Sequence, residues 1–200
     1  MPRVSSMPHR IAIATEGVSD KAVLETICRR AGHVAKAVSP GSGGRALLKR
    51  DFHKILGTLE VTFQPTHFVV VPDLHPELDC PREAEAWREE IRRRFRKAQL
   101  CLSIWEIEAW LLAEPTPVRQ VLGFREFTHA NPDQVGDPKP SRVLEELYRK
   151  KYGYRGAAYH KERDGEALAG YLDLDVAATH SPSLAHFLKV IGTRQTQLVT

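Results

Sequence analysis

Acidic residues closely follow the apolar runs of this chain that are typical of buried strands. The pairs of run and acid are Ile11–Ala14 with Glu16, His67–Pro72 with Asp73, and Leu100–Ile104 with Glu106 and Glu108. The carboxyl ends of parallel strands meet at one edge of a sheet, and ligands bind at that edge in open α/β folds. We therefore expect these carboxylates to converge.

Converging carboxylates repel one another and raise one another's pKa values unless a cation neutralises them. Oxygen-rich sites of one to three acids with open water positions suit Mg²⁺ or Mn²⁺, and such a cation commonly serves phosphoryl chemistry. The pattern therefore predicts a Mg²⁺ or Mn²⁺ site. The alternative is that each acid is a solvated loop residue beside a helix N-terminus, where negative charge is mildly favourable.

Strand and helix patterns alternate through the first half of the chain, which predicts an α/β fold with a mostly parallel, four-stranded sheet flanked by helices. The predicted strands are Ile11–Ala14, His33–Val38, His67–Pro72 and Leu100–Ile104. Helices are expected after each strand, the first with Ser19 as its N-cap. Trp87 and Trp110 fall on apolar helix faces and are predicted to be core residues.

Beyond Pro115 no strand pattern remains and helical patterns dominate. The predicted helices there are Ser141–Tyr152, Glu166–Leu172 and Ser183–Ile191. We predict a loose tail over residues 1–9, an α/β domain over 10–115, and a helical extension over 116–200 that packs on the sheet.

The composition is that of a globular protein with a mild basic excess. The chain has 200 residues, 42% of them hydrophobic and 27% charged, and a net charge of +4. Its three cysteines have neither disulfide nor zinc spacing. Because no apolar run approaches the roughly 18 residues of a membrane span and no signal-peptide pattern begins the chain, we expect a cytoplasmic protein with no membrane partner.

Basic side chains cluster on two of the predicted helices. Arg45 and Lys49 follow a glycine-rich loop that lacks the spacing of a nucleotide-binding P-loop. A denser group occupies Arg92–Lys97. Such runs are often simply solvated helix faces, but they also suit electrostatic binding of a phosphate backbone. The residues predicted to bind nucleic acid are Arg45, Lys49, Arg92, Arg93, Arg96, Lys97 and Lys161.

Several motifs together resemble the TOPRIM domain, the metal-binding fold of topoisomerases, bacterial primases and OLD-type nucleases. They are EGVSDKAVL (Glu16–Leu24), VVVPDLH (Val69–His75), IEAWLLAE (Ile107–Glu114), DPKP (Asp137–Pro140), and a pattern from YHKERDGEALAGYLDL to SPSLAHF (Tyr159–Phe187). More narrowly, the chain resembles small bacterial TOPRIM-like proteins, some of which accompany ATPases in phage-defence loci.

The resemblance implies roles for the acids. Glu16 would act as general base or acid and contact the metal, Asp73 would be the first metal aspartate, and Glu108 would be an additional acid at the same edge. His75 stands where the TOPRIM pattern has a second aspartate, and histidine is a poor Mg²⁺ ligand. Glu77 and Asp79, in the same loop, are the predicted substitutes. Glu16, Asp73 and Glu108 are thus predicted to be catalytic, and these three with His75 and Glu77 to be metal ligands.

The function expected from residues and resemblance together is a divalent-metal-dependent nuclease or related phosphodiester-processing component. It would act on nucleic acid, expected to be DNA, with an ATPase partner in phage defence or DNA repair. A catalytically silent binding subunit of the same fold is the main alternative. A metal phosphohydrolase acting on a small phosphorylated molecule is a third, and would need a closed pocket.

Overall fold

The structure is a computed structural model, and it describes residues 8–41, 44–75, 80–128, 138–153 and 156–192. Its strands are β1 (Arg10–Thr15), β2 (Val34–Val38), β3 (His67–Val71), β4 (Asp73–Leu74), β5 (Ala98–Leu100) and β6 (Ser103–Ile104). Its helices are α1 (Val18–Arg30), α2 (Gly44–Phe63), α3 (Cys80–Arg94), α4 (Glu108–Leu111), α5 (Thr116–Leu122), α6 (Pro140–Tyr152), α7 (Lys161–Tyr171), α8 (Leu174–His180) and α9 (Pro182–Val190).

Four strands form one parallel sheet in the order β2-β1-β3-β5. The two central strands are the most apolar runs of the chain, as expected for strands that are covered by helices on both faces. Ile11–Ala14 of β1 are fully buried. The prediction of an α/β fold with a mostly parallel four-stranded sheet is confirmed.

The sheet continues beyond Pro72 in a way that the sequence did not predict. Proline has no N–H to donate to a ladder, so β3 ends before it and the chain resumes pairing as β4. Asp73 pairs with Ser103 in a second, two-stranded parallel sheet. Asp73 therefore lies in a short strand that holds its backbone, and not in a loop after β3.

Helices cover the two faces of the sheet with separate apolar clusters. On one face, α2 and α3 contribute Phe52 and Trp87, which pack against the β1 and β3 side chains Ala12 and Val70. The other face has the larger cluster, to which α1 and the C-terminal helices contribute, and it is there that Trp110 lies against Phe187 with ring centroids 5.2 Å apart.

The C-terminal helices share their apolar core with the sheet. Ile13 of β1 and Leu168 of α7 belong to the same buried cluster, which confirms the helices predicted beyond the α/β region as a layer packed on it. Among the predicted helices, α6 and α9 begin one residue early, whereas α7 begins at Lys161 instead of Glu166. Helices α5 and α8 were not predicted. The boundary between residues 115 and 116 stays a prediction.

Candidate functional site

Glu16 lies in the turn between β1 and α1, at the carboxyl edge of the sheet. Its Oε2 accepts a hydrogen bond from the backbone N–H of Asp73 at 3.4 Å, which ties the end of β1 to β4. Burial raises the pKa of Glu16 above its ordinary value, and the Asp20 carboxylate adds to this, although the backbone of Asp73 and the guanidinium of Arg45 act in the opposite sense. The carboxyl group is thus held partly out of water beside another acid.

Asp20 caps the first turn of α1. Its Oδ2 accepts from the backbone N–H of Gly17 at 2.7 Å and from the hydroxyl of Thr15 at 3.1 Å. The predicted cap, Ser19, instead donates its hydroxyl to Asp20 at 3.2 Å. Asp20 is buried. Its spacing of one helical turn from Glu16 is the only sequence signal that would have placed it at the site.

Asp73 lies where the acids meet. Its pKa is raised well above the ordinary value, first by burial and then by repulsion from the four neighbouring acids Asp20, Glu16, Glu108 and Glu106. Carboxylates that repel one another in this way face the same partly buried region, because the repulsion weakens with distance and with exposure to water. The structure therefore brings together the acids that follow three different strands.

Glu106 and Glu108 form a pair around a lysine. Nζ of Lys161 lies 3.3 Å from Oε2 of Glu106 and 2.9 Å from Oε1 of Glu108. The Tyr159 hydroxyl donates to the same Glu108 oxygen at 3.4 Å, and Oε1 of Glu106 accepts from the backbone N–H of Ser141 at 2.5 Å, near the start of α6. Glu106 thus anchors a helix as well as facing the other acids.

Glu108 is nearly inaccessible to solvent, and one of its carboxylate oxygens has no hydrogen-bond partner. The residue is 1% exposed, and its Oε2 is buried with no hydrogen-bond partner. Burial raises its pKa and Glu106 adds to the shift, while Lys161 counteracts both. An unsatisfied buried carboxylate oxygen is unfavourable, so it marks a position suited to a cation or a proton.

The backbone is strained just before Glu106 and Glu108. Trp105, directly before Glu106, has a positive φ of 65°, a conformation that is unusual for a bulky residue. Its backbone N–H donates to the carbonyl of Leu74 at 2.9 Å. Strained residues of this kind concentrate at functional sites. No sequence pattern indicated it.

Two of the predicted nucleic-acid-binding cations lie at this edge. Arg45, in the first turn of α2, is close enough to Glu16 to lower its pKa, and its Nη1 is buried without a hydrogen-bond partner. Lys161 is the second. Lys49 lies one turn further along α2, where its Nζ is 3.8 Å from a Glu83 oxygen.

The structure does not bring the remaining predicted cations to the acids. Lys97 directly precedes β5, at the amino edge of the sheet, and α3 spans about 20 Å between the two edges. Arg92 and Arg93 pair with the helix's own acids Glu85 and Glu90, at 2.6 and 2.8 Å. Arg96 is exposed beside Lys97, which pairs with Glu60 of α2. A role of these residues in binding nucleic acid stays a prediction.

The predicted metal ligands are placed only in part. Glu77 and Asp79 lie outside the described residues, and His75 follows β4 directly. Within the described ranges, no three His, Cys, Asp or Glu side chains are arranged so that they would hold a metal ion. The available donors at the edge are carboxylate oxygens, which Mg²⁺ and Mn²⁺ prefer, and the Mg²⁺ or Mn²⁺ site stays a prediction.

Neither described cysteine is a candidate nucleophile. Cys28 and Cys101 are fully buried, and burial raises the pKa of both thiols. A thiol in that state supplies little thiolate at neutral pH.

Comparison with known proteins gives a family and no activity. In the part of the chain that the structure describes, no helix has the length and apolar character needed to cross a membrane. Searches of curated proteins and of solved structures gave no match. A family described as a domain of unknown function, DUF4276, matches residues 15–192, and the chain belongs to that family.

Proposed function

We propose that this chain is a divalent-metal-dependent component that cleaves or otherwise processes phosphodiester bonds in nucleic acid, acting as a nuclease. The observation that carries the proposal is that acids following three strands lie at one edge of the sheet, where Glu16 accepts a hydrogen bond from the backbone of Asp73 and Glu106 and Glu108 share Lys161. The repulsion among these acids raises the pKa of Asp73. Such an arrangement destabilises the folded state unless it is used to hold positive charge.

The cation is Mg²⁺ or Mn²⁺, held by Asp73 with Glu16 and with His75 beside them. The fit rests on the donor set, which is rich in carboxylate oxygen and lacks thiolate. A divalent ion bound there would offset the charge of the acids and of a backbone phosphate, and lower the pKa of bound water.

The side chains around the acids have separate roles in this proposal. Glu16 has a raised pKa and exchanges the proton, as a general base or acid must. The guanidinium of Arg45, whose Nη1 lacks a partner, contacts a phosphate oxygen of the strand. Recognition is then of the backbone and not of the bases.

A catalytically silent binding subunit is the second candidate. His75 stands at the second-aspartate position of the TOPRIM pattern, and the described residues contain no ready group of three metal-ligating side chains. In this second candidate function, the protein binds nucleic acid or a partner through the same edge of the sheet and does not cleave nucleic acid.

The wider setting rests on the resemblance to TOPRIM proteins alone. It includes DNA as the nucleic acid, a partner ATPase, and a role in phage defence or DNA repair; the cytoplasmic location is proposed separately, from the sequence pattern. Each of these is part of the proposal and is tested separately from the chemistry.

Calorimetric titration with Mn²⁺ and Mg²⁺ tests the site first, on the native protein and on Asp73→Asn. Binding that is lost in Asp73→Asn and retained in Glu126→Gln, a control at an exposed acid, supports the proposal. Cleavage of labelled DNA and RNA with each metal then distinguishes the nuclease from the silent subunit. Absence of metal binding in the presence of nucleic acid would overturn the enzymatic proposal.

A further inference from the structure

Lys161 bridges the acidic pair Glu106 and Glu108. It is the first residue of α7, and its Nζ lies within 3.3 Å of a carboxylate oxygen of both Glu106 and Glu108. Burial alone would lower the pKa of Lys161, but Glu108 and Glu106 outweigh burial and the pKa is raised. The ammonium group is therefore held in its charged form between two carboxylates.

The packing of α7 holds this lysine at the edge of the sheet. A Cβ atom on Gly165 would lie 3.0 Å from Cγ2 of Val23 in α1, so glycine permits the two helices to approach closely. Asp164 accepts from the backbone N–H of His160 at 2.7 Å and caps the helix. The start of α7 is thus fixed beside Glu108, and Lys161 reaches the acids from a structured helix end.

The pair has capacity for more positive charge than one ammonium supplies. Oε1 of Glu108 is contacted by both Lys161 and Tyr159, whereas Oε2 is buried without a hydrogen-bond partner. Asp73 is close enough for both Glu106 and Glu108 to raise its pKa. The carboxylate oxygens of this pair are donors of the kind that a divalent ion prefers.

We propose that the ammonium group of Lys161 takes the place of a second divalent cation, so that the site binds a single divalent ion at Asp73 and Glu16. The inference rests on the proposed function and specifies its metal stoichiometry. Two-metal sites use a pair of ions to stabilise the attacking and leaving oxygens of a phosphoryl group. Here one of those positive charges belongs to the chain itself, which makes Lys161 a positioning residue for Glu106 and Glu108.

The test counts bound Mn²⁺ by electron paramagnetic resonance of the free ion, which needs no activity. The variants are Lys161→Met, which keeps most of the side-chain volume without the charge, and the conservative Lys161→Arg. We expect one ion in the native protein, two in Lys161→Met, and one in Lys161→Arg. The double variant Lys161→Met with Glu108→Gln should return to one ion.

Other results separate this inference from the proposed function. One ion in both the native protein and a folded Lys161→Met, or two ions in the native protein, would overturn the inference and leave the metal-dependent function intact. No ion in the native protein but one in Lys161→Met would overturn both the inference and the proposed metal site, because the inference requires one ion at Asp73 and Glu16. No ion in either would overturn both.

A second variant keeps the test decisive if Lys161→Met does not fold by circular dichroism. In the otherwise native protein, Glu108→Gln should still bind one Mn²⁺, because Lys161 and not the divalent ion occupies that pair. Loss of the ion in a folded Glu108→Gln would show that Glu108 is a metal ligand, and would overturn the inference.

Discussion

The backbone N–H of Asp73 donates a hydrogen bond to Oε2 of Glu16 at 3.4 Å, across 57 residues of sequence. This contact exists because β1 and β3 are neighbours in the sheet and both end at the same edge. It places one acid directly beside the residue on which the others converge. The predictions below test what this arrangement does to stability and to binding.

Asp73→Asn should stabilise the metal-free protein. The substitution removes a charge that four neighbouring acids disfavour, and relief of such functional strain is worth about 1 kcal/mol. Chemical unfolding at pH 7 in the presence of a chelator measures it, with Glu126→Gln as a neutral control. A clear loss of stability in Asp73→Asn would mean that the carboxylate makes favourable contacts that outweigh the repulsion.

Lys161→Met should destabilise the metal-free protein by about 2 kcal/mol, since it leaves Glu108 without its charged hydrogen-bond donor. The lysine side chain is 44% exposed, so the loss is smaller than for a fully buried ion pair. Lys161→Arg should recover most of it. Equal stability of Lys161→Met and the native protein would show that the ion pair has no net effect.

Arg45→Ala should weaken binding to DNA and lower the salt slope of the binding constant by about one, as expected for a lost phosphate contact. Arg93→Ala, at the far end of α3, should leave cleavage of DNA within about twofold. Fluorescence anisotropy at several salt concentrations and a cleavage assay measure the two effects. Unchanged DNA binding by Arg45→Ala together with reduced cleavage by Arg93→Ala would instead place the nucleic acid on the α3 surface.

The contribution of His33 to stability should be lost as the pH drops below about 6.5. His33 is buried, and burial, with the nearby His9 and His67, lowers its pKa from the ordinary value of 6.5. Its Nδ1 also accepts from the backbone N–H of His9 at 3.2 Å. Because the folded pKa is depressed, the unfolded chain takes up a proton first, and stability is lost as the pH falls from 6.5 through the folded value.

His33→Gln isolates this effect. Thermal unfolding measured from pH 8 to pH 5 should show a shallower decline for His33→Gln than for the native protein. Parallel curves for the two proteins would assign the decline to other groups.

Trp110→Ala should destabilise the protein by about 4 kcal/mol, as is usual for a large buried aromatic residue. The indole is fully buried, donates to Ser183 at 2.7 Å, and packs on Phe187. Urea unfolding followed at two wavelengths measures the loss. Trp87→Ala, on the opposite face of the sheet, is the matched comparison. Unfolding transitions that coincide at the two wavelengths would show that the C-terminal helices and the sheet unfold together.

Much of the architecture was predictable because burial leaves a periodic signal. Three apolar runs identified β1, β2 and β3 of the parallel sheet, whereas the fourth, Leu100–Ile104, overlaps β5 only at Leu100 and extends into β6. Trp87 and Trp110 were correctly assigned to the core. The position of Glu16 just after β1 was equally predictable, because the change from an apolar run to a glycine turn is local. These features depend on neighbours within a few residues.

The environment of each acid depended instead on contacts distant in sequence. That Glu106 holds the start of α6 through Ser141, and that Lys161 neutralises Glu108, both require elements tens of residues apart to pack first. The separation of the α3 arginines from the acids likewise follows from which end of the helix meets which edge. Sequence alone determined which residues have the chemistry, and the tertiary structure decided which of them meet, because side-chain electrostatics depends on distances that only packing sets.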